Sequence, residues 1–110
     1  MLRGDDPRAA ESFRMSAWLY RAARDAGYAR VMMEKSAQHA AAGGNVELAA
    51  NSYVDAAILA IESNRDDQVP GLLRKTRTVL GSPLLPTERR DAILRRIGGE
   101  TRLALAWVEQ

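Results

Sequence analysis

Alanine is the residue that most narrows what this chain can fold into, occupying 19 of its 110 positions. Small helix-formers at that density, with only 5% aromatic residues, favour helices packed at close range over a β-sheet. The length suits one domain over 1–110, able to bury roughly 65% of its unfolded surface around a modest core. With no cysteine, disulfides, thiolate nucleophiles and thiolate metal sites are excluded. No apolar run approaches the ~18 residues of a membrane-spanning helix, and the first residues lack the apolar stretch of an export signal, so a cytoplasmic location is the default expectation.

Helix stop signals recur at short intervals and predict six helices joined as antiparallel hairpins. Asp6-Pro7 opens the first, expected over about 6–26 with Gly27 as its terminating glycine. Its inward stripe reads Met15, Trp18, Leu19, Ala22 and Ala26, with Phe13, Ala17 and Tyr20 on an adjoining face. The second helix runs to Gly43-Gly44 with Met33, Ala37, Ala40 and Ala41 inward. Asn45 caps the third, which carries Leu48, Ala49, Ser52, Tyr53, Ala56, Leu59 and Ala60. Asp66-Asp67 starts the fourth, stopped at Gly81-Ser82-Pro83; Pro86-Thr87 starts the fifth, and Gly98-Gly99 separates it from a short last helix. The tripeptide Arg3-Gly4-Asp5 spells an adhesion motif, but three residues recur by chance.

Tyr20-Arg21-Ala22-Ala23 with Ala26 matches Val54-Asp55-Ala56-Ala57 with Ala60 at an offset of 34 residues, a spacing that points to a helical solenoid. Over 29–62, Ala37, Ala40, Gly44, Ala49, Tyr53 and Ala56 fall on small, glycine and aromatic positions, and this stretch resembles the tetratricopeptide repeat (TPR) family. The resemblance implies an all-α, TPR-like solenoid of stacked hairpins, which binds a peptide or partner protein on a concave face without catalysis. On that register Val31, Glu34, Gln38 and Ala41 would line the groove. Family members that clamp a carboxylate place lysine and asparagine near the positions of Glu34 and Gln38, so this chain departs from the clamp.

Two other surfaces are legible. The net charge of +2 divides unevenly, with residues 65–102 carrying nine basic and five acidic side chains. Arg74, Lys75, Arg77, Arg89, Arg90, Arg95 and Arg96 form a candidate basic patch for an anion or nucleic acid, although stacking aromatics are not interleaved with them. In the last helix Leu103, Leu105, Trp107 and Val108 surround the axis, so they either fold back or meet another copy or a flanking repeat. His39 is the one histidine and has no carboxylate at helical spacing to orient it. Neither catalytic residues nor a metal or cofactor are therefore expected, and the expected role is a protein-interaction module, with anion binding or self-assembly as the alternatives.

Overall fold

Three consecutive helix ends repeat one backbone solution at 20-residue intervals. In the computed structural model, which describes residues 7–110, Arg24, Gly44 and Asn64 adopt left-handed φ of 64°, 82° and 60°. Each closes the same pair of hydrogen bonds. The N–H groups of Arg24, Gly44 and Asn64 reach Arg21, Ala41 and Ile61 carbonyls, and those of Asp25, Asn45 and Arg65 reach Tyr20, Ala40 and Ala60. This is the Schellman termination, which satisfies carbonyls that a helix end would otherwise leave unpaired. The chain turns back at once, and Asp25 and Asn45 cap the next helices by accepting the N–H of Tyr28 at 3.0 Å and Leu48 at 3.1 Å.

The elements are α1 (Pro7–Ala22), α2 (Ala26–Ala42), α3 (Val46–Glu62), a 3₁₀ turn (Asp66–Gln68), α4 (Val69–Leu80), α5 (Thr87–Gly98) and α6 (Thr101–Val108). No strand occurs among the described residues, and no helix is long and apolar enough to cross a membrane. The first helix stops four residues earlier than the sequence suggests. Gly27 lies inside α2, because Arg24 takes the left-handed position and Asp25 is the better cap. Asp66 and Asp67 fall in the 3₁₀ turn that precedes α4. The expected Asp6 cap and the Arg3-Gly4-Asp5 motif lie outside the described residues.

The 20-residue spacing carries into the core. Ala17, Ala37 and Ala57 are fully buried, as are Ser36, Ala56 and Thr76, and Ala29, Ala49 and Val69 follow the same rule. Small side chains recur where one helix crosses the next, which lets the axes approach closely. The 34-residue offset read from Tyr20 and Val54 does not coincide with this spacing, since Tyr20 is in the last turn of α1 while Val54 is in the middle of α3. Helix α3 is the centre, packed along its length on α2 and α4 and crossed by α5, and ten of its 17 residues are buried. The Cα radius of gyration, 13.2 Å, is the value of about 13 Å expected for a close-packed chain of this length.

Helix α1 presents the opposite face to the one its hydrophobic pattern suggests. Ala10 and Ala17 are buried with Phe13 beside them, whereas Met15, Trp18 and Leu19 are exposed. Two causes combine. Alanine permits close contact with α2, and Arg14 and Arg21 must face acids on α3. Ala41, expected inward on the second helix, is also exposed. In α6, Leu103 is buried and Trp107 half-buried, while Leu105 and Val108 remain in solvent. The last helix therefore folds back with one side and leaves the other uncovered.

Of the three left-handed positions, Gly44 has open space around its Cα, so a substitution there tests backbone strain alone. Gly44→Ala is expected to lower the urea-unfolding free energy by about 1 kcal/mol, and Gly44→Asn by less, because asparagine tolerates this region.

Candidate functional site

The residues that the sequence marks as chemical are mostly engaged inside the fold. Asp55 is the centre of the largest network, in α3 and only 3% exposed. Arg14 from α1 places Nη2 at 2.8 Å from Oδ2, too poorly aligned for a hydrogen bond, so this contact is coulombic. Arg96 from α5 donates to Oδ1, and its Nη1 also reaches Asn51 Oδ1 at 3.2 Å. Arg14 Nη1 donates to Ser52 Oγ at 3.1 Å. A single buried carboxylate thus joins three helices, and two partly exposed guanidinium groups supply the compensating charge.

The other cross-links follow the same geometry. Arg21 with Glu62 joins α1 to α3, and Lys75 with Glu34 joins α2 to α4 at 2.9 Å. Each pair spans 41 residues, two helix-and-turn units plus one residue. Of the candidate groove, Glu34 is therefore tied to Lys75 and to Arg30 at 3.5 Å, Val31 is half-buried, and Gln38 and Ala41 are exposed along the same helix. Tyr53 lies beneath this edge with Lys75 Nζ 6.0 Å from its ring centre.

The candidate basic residues are dispersed. Arg77 lies over the Trp107 ring at 3.9 Å and donates to the Trp107 carbonyl at 3.0 Å and to Gln110 Oε1 at 3.1 Å, fastening α6 to α4. Arg90 donates to the Leu80 carbonyl at 2.7 Å, closing the end of α4, which offsets its unfavourable place early in α5. Arg89 pairs with Glu47 at 3.2 Å, and Arg96 serves Asp55. Arg74 and Arg95 are exposed on α4 and α5. His39 is half-buried, with its ring stacked on Phe13 at 5.1 Å. Among the described residues, no three histidine or carboxylate side chains gather as metal ligands would.

Among the open surfaces of the described residues is a groove of about 380 Å³ where α6 meets the start of α4. Ile61, Val69, Pro70, Leu105 and Ala106 line it, with Asp66, Arg102 and Glu109 at the rim. The end of α3, the first turn of α4 and one side of α6 contribute its walls. Asp66 and Arg102 approach to 3.8 Å across the opening. Next to the rim, a hydrogen bond from Arg65, with a further one from Gln68, holds the Asp67 carboxyl below the usual carboxylate range, so it stays charged. Of these lining residues the sequence reading singles out only Leu105. Ala106 adjoins it on α6, while Ile61, Val69 and Pro70 come from segments 35 or more residues away, and no local pattern joins the three stretches.

Two measurements probe these networks. Asp55→Ala leaves two arginines that can rehydrate and is expected to cost about 2 kcal/mol, whereas Arg14→Met with Arg96→Met strands a buried carboxylate and costs about 3 to 5 kcal/mol, both read by denaturant unfolding. Burial raises the Tyr53 hydroxyl above its ordinary value, with Lys75 lowering it less and Glu34 raising it further. The folded state therefore favours the protonated phenol, and the resulting stability is complete below pH 10.0 and lost as pH rises through the raised value. Tyr53→Phe should remove that alkaline loss in unfolding curves taken between neutral and high pH.

Comparison with protein-family models, with curated proteins and with solved structures finds no match.

Proposed function

We propose that the chain is a non-catalytic protein-interaction module, a TPR-like helical repeat whose first three helices recur with a helix and turn every 20 residues. The observation that carries this reading is the open groove at the α4–α6 junction, an apolar trough whose rim holds more acid than base. A fitting occupant is a peptide segment with one apolar anchor beside a basic residue: the anchor would displace water from Val69, Pro70 and Ala106, and its cationic neighbour would face Asp66 and Glu109. The arginines of α4 and α5 favour this reading over an anion-binding one, since Arg77, Arg89, Arg90 and Arg96 direct their donors to carbonyls, carboxylates and amides of the same chain.

A fluorescence-anisotropy screen of short labelled peptides against the intact chain tests the proposal. Apolar-basic peptides are expected to bind, to weaken at least tenfold on Ala106→Arg, and to be indifferent to Arg74→Glu with Arg95→Glu. Selection of acidic peptides, with affinity that falls steeply with salt and disappears in the Arg74→Glu, Arg95→Glu variant, would favour the anion-binding alternative instead.

A further inference from the structure

The outer face of α1 holds Met15, Trp18 and Leu19, exposed at 67%, 37% and 66%. They are neighbours on one side of the helix, and with Glu11 and Ala22 they follow the four-and-three spacing of a helix-pairing seam. A shallow depression lined by Glu11, Arg14, Met15, Trp18 and Leu19 marks the same place. Trp18 is held in position, for the guanidinium groups of Arg14 and Arg21 both lie 5.6 Å from its ring centre and both are anchored on α3. A fixed aromatic ring inside a rim of flexible apolar side chains is the composition of an interface centre.

We infer that this face pairs with the same face of a second copy, α1 against α1 and antiparallel. Charge and register select that occupant. With a twofold axis midway between Met15 and Trp18, Met15 of one chain meets Trp18 of the other, a favourable thioether–aromatic contact, and Leu19 meets the aliphatic stem of Arg14. The same operation brings Glu11 next to Ala22 of the second copy and to the outer edge of its Arg21, which is half-exposed while its guanidinium also serves Glu62 of its own chain, so acid lies beside base at both ends. A parallel pair would instead set Glu11 against Glu11 and Arg21 against Arg21. One helix face is small beside a standard interface, so the dimer is a transient one, with a Kd on the order of 10 to 100 μM. This surface is separate from the α4–α6 groove, and its success or failure leaves the peptide-binding proposal untouched.

Sedimentation equilibrium of the intact chain from 5 μM to 1 mM reads the association. A monomer–dimer equilibrium is expected, with Kd raised at least tenfold by Leu19→Glu and by Met15→Lys and unchanged by Val108→Lys. Both α1 side chains are two-thirds exposed, so circular dichroism and thermal midpoint should stay at their parent values, and either variant alone suffices if the other is unstable. The cysteine-free background allows the register to be read directly: Glu11→Cys mixed with Ala22→Cys should form a disulfide faster than Glu11→Cys forms one with itself. A chain that is monomeric at 1 mM would overturn the inference. So would a dimer lost only in Val108→Lys, assembly that continues past the dimer, or preferred Glu11→Cys self-linkage.

Discussion

The carboxylate of Asp55 is the constraint around which the helices are arranged. A charge with 3% exposure is unfavourable in a helical core unless opposite charge reaches it, and the two groups that do so come from helices on different sides of α3. Arg14 fixes the rotation of α1, and Arg96 holds the crossing of α5 over α3. Hydrophobic burial alone would not choose this rotation of α1, because the helix has an apolar stripe on its other side as well. Satisfying the buried charge, together with the close approach allowed by Ala10 and Ala17, decides which stripe goes inside.

Much of the fold can be read along the chain, and the reasons it can be are local. Glycine, asparagine and aspartate at the turns, with proline at helix starts, act within a few residues, so six helices and most of their boundaries follow from them. Ala37, Ala49 and Ala56 are buried for the reason their size suggests. The 20-residue spacing is also written in the chain, in Ala17, Ala37 and Ala57 and in the caps Asp25 and Asn45, although alanine is so common that an offset of 34 yields a comparable match.

What could not be read depends mostly on partners 30 to 45 residues away, and for Arg90 on a carbonyl ten residues back in the preceding helix. A pattern of charges does not tell whether Arg77 faces solvent or covers Trp107, or that Arg90 closes α4 while Arg89 reaches α3. The apparent excess of base in the second half is thus largely a set of long-range fastenings: long side chains laid across apolar surface with their heads on carbonyls and carboxylates. The α4–α6 groove is invisible for the same reason, since its walls come from three stretches, Ile61, Val69-Pro70 and Leu105-Ala106, that only the fold brings together.

The uniform separation of the cross-links has a kinetic consequence. Each helix finds its first partner in the next one along, through a tight turn, and the ion pairs that follow close loops of only about 41 residues. Little chain entropy must be surrendered before each contact is rewarded, so this topology belongs with the rapidly folding helical domains. Because Arg96 enters from α5, late in the chain, Asp55 acquires its second guanidinium only after α1, α2 and α3 can already have docked. A growing chain emerging from synthesis would therefore assemble its central helix early and neutralise it last.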